Sequence, residues 1–143
     1  MKINFDQELK VDNQADINLY GKQVHVVLND EFRQKLTASR LKIDAVYAKF
    51  DDPAYTKKIS EKPYQEQQKI ADQLMDKTHK IVISTVDGLL GQGIGEYLYK
   101  HFNGSTEAVS AVLGLLEDYA NESVTNLKEQ KKKAKLAKFK NHH

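Results

Sequence analysis

The sequence predicts a mainly α-helical domain with a short β-hairpin near its N-terminus, an α+β protein by strict count. Three observations predict it. Apolar residues recur at spacings of three and four over most of the chain beyond residue 30, the pattern of helices that bury one face. One stretch, "ADINLYGKQVHVVLND", instead alternates apolar and polar residues on either side of a glycine. The chain has 143 residues, 40% of them apolar, with seven Tyr, five Phe and no Trp, enough for one domain with a modest core.

The hairpin is expected over about 15–29. Ile17 and Leu19 alternate on the first strand, and Val24, Val26 and Leu28 on the second. "GK" is the expected turn, because Gly21 accepts positive φ at little cost. Tyr20 and Val27 break the alternation and are assigned to the other face. Asn29 or Asp30 supplies an N-cap for the next helix. Its stripe runs through Phe32, Leu36, Leu41 (or Ser39–Arg40), Ile43, Val46 and Phe50. "DDPAYTKK" should stop or kink that helix, because the residue before Pro53 disfavours the α region.

The longest periodic segment follows. Ser60 is its expected cap and Pro63 sits near the first turn. Ile70 (or Ala71), Leu74, Thr78, Ile81 (or Val82), Thr85 (or Val86) and Leu89 form a seam for helix-on-helix packing. "KIVISTV" taken alone reads as a strand, but the helical period continues through it from both sides. "GEYLYKHF" is a short amphipathic helix, ended by Asn103–Gly104. Ser105 or Thr106 opens the last helix, with Val109, Val112, Leu116, Tyr119 (or Ala120), Ser123 (or Val124) and Leu127 as its stripe. No internal repeat or long Pro/Gly linker divides the chain, so residues 1–127 are expected to form one helical domain and 128–143 a lysine-rich extension.

"GLLGQGIG", residues 88–95, holds four glycines and raises the question of a phosphate loop. A dinucleotide fingerprint needs Gly-x-Gly-x-x-Gly, and the third position here is Glu96, whose charge opposes a pyrophosphate. A P-loop needs Lys and Ser/Thr after its second glycine, where Ile94 and Gly95 stand. The run therefore reads as a structural corner of Asp87, Gly88, Gly91, Gly93 and Gly95. Gly91 or Gly93 would end the long helix in a left-handed conformation, and the others would let two helices approach. Asp87 is expected to be satisfied at the turn, with Leu89, Leu90, Tyr97 and Tyr99 packing around it.

No catalytic set emerges. There is no cysteine, which excludes disulfides and thiolate chemistry. His25, His79 and His101 are not spaced as metal ligands, and "ISTVDG" is no serine-nucleophile motif. Neither a metal nor a cofactor is expected, and the protein is read as a non-enzyme. No apolar run reaches the roughly 18 residues of a membrane helix, and the N-terminus lacks the apolar stretch of a signal peptide, so a cytosolic protein without membrane contact is expected.

The net charge of +2 conceals an asymmetry. From Lys128 onward seven Lys face one Glu, a balance of +6, which leaves −4 for residues 1–127. Lys131, Lys132, Lys133, Lys135, Lys138 and Lys140 are the basic tail. They suit a solvated helix end, a protein partner or nucleic-acid phosphates, although Phe139 is the only aromatic among them to stack on a base.

Three stretches in order, "INLYGKQVHVVLNDEF", "VDGLLGQGIGEYLYKHF" and "GSTEAVSAVLGLLEDY", resemble the small tail assembly chaperones of long-tailed phages of Gram-positive bacteria. The match rests on Val86, Asp87, Leu89, Leu90, Gly91 and Gly93, followed by Tyr97 and Tyr99, and spans residues 15–32 and 82–122. The lysine-rich end departs from the family pattern. The resemblance implies a helical homo-oligomer, a ring or spiral in the host cytoplasm, that coats the phage tape measure protein and keeps it soluble until the tail tube forms. Contact with the client or a second copy is then assigned to Val24 and Val26 on the hairpin and to Val112, Leu116 and Tyr119 on the last helix. The alternative is a small nucleic-acid-binding protein acting through the tail.

Overall fold

The structure is a computed structural model that describes the backbone of residues 1–141 and the side chains of residues 1–139. It is mainly α-helical with one two-stranded antiparallel hairpin near the N-terminus. In chain order the elements are α1 (Phe5–Glu8), β1 (Gln14–Leu19), β2 (Lys22–Val27), α2 (Asp30–Tyr47), a 3₁₀ turn (Ala48–Asp51), α3 (Pro53–Ser60), α4 (Tyr64–Leu90), α5 (Ile94–His101) and α6 (Thr106–Asn141).

The hairpin register pairs Leu19 with Lys22, so the turn is Tyr20–Gly21 and not the expected Gly21–Lys22. Tyr20 has φ +52° and Gly21 φ +97°, and positive φ at both central residues is the mark of a type I′ turn. Tyr20 thus leaves the strand altogether, which is why it breaks the alternation.

Asn29 caps α2 by accepting a hydrogen bond from the Phe32 N–H at 3.0 Å. The stripe of α2 runs through Phe32, Leu36, Ser39, Ile43 and Val46, a strict three-and-four spacing. Leu41 falls off that face and is 61% exposed. Ser39 is buried in its place, with its hydroxyl 2.9 Å from that of Thr85 on α4. "DDPAYTKK" does more than stop the helix. Asp52 accepts from the Ala54 N–H and Pro53 occupies the first turn, which together start α3. Ser60 consequently ends α3 and does not cap α4, whose N-cap position is Pro63.

Helix α4 has 27 residues, and "KIVISTV" lies inside it. Val82 and Val86 are fully buried there, so packing overrides the strand propensity of β-branched residues. Ser105 caps α6, accepting from the Ala108 N–H. Helix α6 has 36 residues, roughly 54 Å at the α-helical rise, and continues through Lys128 without interruption. The lysine-rich segment, as far as the described residues extend, is the second half of this helix.

The inner face of the hairpin carries Ala15, Ile17, Leu19, Val24 and Val26. These close over a core of Phe32, Leu36, Val82, Val86, Leu90, Leu98, Val109, Leu113, Leu116 and Ala120 from α2, α4, α5 and α6. Leu98, Val82, Val86 and Val109 are the largest fully buried side chains, each contributing about 1.5–3 kcal/mol through burial. No helix among the described residues is long and apolar enough to cross a membrane.

Candidate partner-binding surfaces

The glycine corner is a joint. Gly91 closes α4 with φ +131° and ψ +152°, an extended conformation open to glycine, and its N–H bonds the Asp87 carbonyl at 3.0 Å. The left-handed residue is Gly93, φ +86°, and it opens α5 rather than closing α4. Gly95 lies where α5 crosses α4. A Cβ there would stand 2.7 Å from the Ile83 carbonyl oxygen. The Asp87 carboxylate accepts from the Gly95 N–H at 2.8 Å, satisfying one of the free donors of the α5 N-terminus. Gly88 is an exposed helical residue with nothing near its missing side chain. Leu90 is buried, and Leu89 and Tyr99 pack at the edge of the core.

The corner also anchors the hairpin tip. Tyr97 donates to the Tyr20 carbonyl, the Tyr20 ring stacks on His101 at 4.0 Å, and Lys22 Nζ lies 5.1 Å from the centre of the Tyr97 ring. These contacts use α5 for positioning. His25 and His79 have structural partners too. His25 Nδ1 lies 2.7 Å from Asp16 Oδ1, and His79 Nδ1 lies 2.8 Å from Thr106 Oγ1. Among the described residues no group of three or more His, Asp or Glu is placed to hold a metal.

Two grooves lie beyond this joint. The first lies along β1. In a hairpin with a two-residue turn, the flanking pair exchanges both hydrogen bonds, and every second pair repeats this. Leu19–Lys22, Ile17–Val24 and Ala15–Val26 are the bonded pairs. The N–H and C=O groups of Gln14, Asp16 and Asn18 therefore point away from β2, and among the described residues no third strand pairs with them. Beside this open edge runs a groove of about 510 Å³ between β1 and α6, lined by Ile17, Leu19, Tyr20, Val112, Leu115, Leu116 and Tyr119. Leu115 is 58% exposed and Tyr119 59% exposed.

The residues assigned to partner contact divide accordingly. Val26 and Leu116, each 4% exposed, belong to the core, and only Leu116 reaches the groove, at its floor. Val24 and Val112 are half-buried, and Tyr119 stands on the groove wall. Leu115 was not among them. The adjacent pair Leu115–Leu116 carries the missing signal, since one helical face cannot bury two successive leucines.

The second surface is a groove of about 610 Å³ between the N-terminal segment and the second half of α6. Phe5, Leu9, Val11, Val124, Leu127 and Ala134 form its apolar lining, and Lys128, Lys131, Lys135 and Lys138 its rim. Gln130 holds the two sides together: its amide donates to the Lys10 carbonyl at 3.0 Å, and its Oε1 accepts from the Lys10 N–H at 2.7 Å. Ser123 adds a bond to the Asp12 carbonyl. Lys132 and Lys133 are exposed outside the groove lining, and the Lys140 side chain lies outside the described residues. No apolar periodicity in residues 1–13 announces this packing.

Compared with known proteins, the chain matches no family model, no curated protein and no solved structure.

Proposed function

We propose that this protein is a non-catalytic, self-associating chaperone that coats a long helical client, the tape measure protein of a phage tail, during tail assembly in the host cytoplasm. The observation that carries the reading is the open β1 edge beside the Leu115–Tyr119 groove. An unpaired strand edge offers backbone hydrogen bonds, and an adjoining apolar groove offers burial, which is the pairing that strand addition uses. A second copy that docks there through a different surface of its own propagates an assembly, whereas edge-to-edge pairing closes a dimer. The three-part resemblance supplies the identity of the client.

The test is co-expression with the phage's long tape measure protein, followed by size exclusion with light scattering. A client that is soluble only beside this protein, and that co-elutes with it in high salt, supports the reading. A client that stays insoluble beside a monomeric protein overturns it.

The lysines on the second half of α6 favour one further reading, contact with nucleic-acid phosphates. That reading requires oligonucleotide binding that weakens steeply with salt and is lost when the chain is cut before Lys128. Salt-insensitive behaviour of both forms removes it.

A further inference from the structure

We propose that the lysine-rimmed groove between the N-terminal segment and α6 is a docking site for an amphipathic helix with an apolar stripe and acidic flanks. The inference deepens the chaperone reading, and rests on it for the premise that the protein works by holding helices. It names the chemistry of the segment held.

The groove has two chemically distinct parts. Phe5, Leu9 and Val11 present large apolar side chains to it from one wall, and all three are exposed. Leu127 and Ala134 face them from α6. Apolar side chains brought together in a preformed concavity and left in contact with water favour an apolar occupant. Lys128, Lys131, Lys135 and Lys138 recur at steps of three and four, so they follow one side of α6 along the whole groove. Among the described residues Glu8 is the single acid in the lining. Among the described residues none of the four lysines enters an ion pair. A helix of complementary character would seat its stripe on the apolar walls and set its carboxylates against the lysine row.

The shape argues against the other polyanions. Nucleic acid has no apolar stripe to bury against Leu9, Val11 and Leu127, and a bilayer surface cannot enter a concave groove. The walls are pinned before any partner arrives, by the paired Gln130–Lys10 bonds and by Ser123 on Asp12. Docking therefore needs little ordering of the protein.

The experiment uses the full chain and a labelled synthetic helix of about five turns, with Leu at i, i+3, i+4 and i+7 and Glu on the flanks. A second peptide carries Lys in place of Glu. Anisotropy titrations should show the Glu-flanked peptide binding and the Lys-flanked peptide at least about tenfold weaker. The variant Lys131→Glu/Lys135→Glu/Lys138→Glu should reverse that preference, and the reversal itself shows that the variant is folded. Leu9→Asp should weaken both peptides. Equal binding of the two peptides, or no binding, overturns the proposal. So does an oligonucleotide or an anionic vesicle that binds through these lysines while the Glu-flanked peptide does not, or a second copy of the protein that occupies the groove and excludes the peptide. A peptide that binds as described while the tape measure protein stays insoluble leaves this site standing and removes the chaperone reading. A solubilised client with no peptide binding does the reverse.

Discussion

The Tyr97 hydroxyl donates a hydrogen bond of 2.6 Å to the backbone carbonyl of Tyr20, 77 residues earlier in the chain. The bond ties the hairpin turn to the helix that follows the glycine corner. It also explains how a tyrosine sits at φ +52°, where side chains other than glycine are strained: stacking on His101 and this bond hold it. Tyr97→Phe removes the donor and keeps the ring under Lys22. The site is exposed enough for water to replace the lost partner, so the expected cost is about 1 kcal/mol in urea unfolding. Faster amide exchange at the hairpin tip should accompany it. An unchanged midpoint and unchanged exchange would remove the bond from the account.

The corner makes a sharper prediction because its glycines are not equivalent. Gly95→Ala sets a Cβ against the Ile83 backbone, which cannot move aside as a side chain can. The expected loss is about 2–3 kcal/mol. Gly88→Ala meets nothing and lies in a helix, so it should stabilise by about 0.5 kcal/mol. Paired urea denaturation curves check both signs. A nucleotide-binding loop has no reason to produce this contrast, and a close helix crossing does.

The parts of this fold that were legible in the sequence are those where one period dominates. The alternation of Ile17, Leu19, Val24 and Val26 marks a hairpin, and the steps of three and four through "KIVISTV" mark a helix even against local propensity. The turn was displaced by one residue because Gly21 alone looked able to take positive φ, whereas Tyr20 does so with help from distant side chains. Between Leu41 and its alternative Ser39–Arg40 the apolar pattern does not decide, and Ser39 takes the buried place because the partner hydroxyl of Thr85 comes from 46 residues away. The Asp52–Pro53 pair did hold a helix-start signal, but it also read as a stop. The lysines that rim the second groove are legible as the basic tail, but the groove itself is not. Its apolar wall comes from a four-residue helix and its flanks, too short for any period, and is joined to α6 by bonds between residues 120 apart.

Leu115 and Tyr119 separate binding from folding. Both are more than half exposed, so Leu115→Asp/Tyr119→Asp should shift stability by no more than about 0.5 kcal/mol per site. On the proposed function the double variant loses self-association and co-elution with the client, because two carboxylates in the groove would have to be desolvated by the incoming chain. Light scattering and co-expression yield are the measurements. Full assembly in a folded double variant would move the interface elsewhere.

Asp16→Pro tests the strand edge apart from the groove. The Asp16 N–H points away from β2, so a proline there removes an outward donor and leaves the bonds of Ile17–Val24 and Ala15–Val26 in place. The exposed contact with His25 is lost as well, which costs little at the surface. The variant should keep its helical circular dichroism and its unfolding free energy to within about 1 kcal/mol. If a neighbouring copy adds a strand to β1, the mass in solution should fall toward that of the 16.3 kDa monomer, because the proline both deletes a ladder hydrogen bond and clashes with an incoming backbone. If the mass is unchanged, strand addition is not how copies meet. The apolar groove would then have to hold them by side-chain packing alone, and the Leu115 and Tyr119 substitutions would be the only ones to break the assembly.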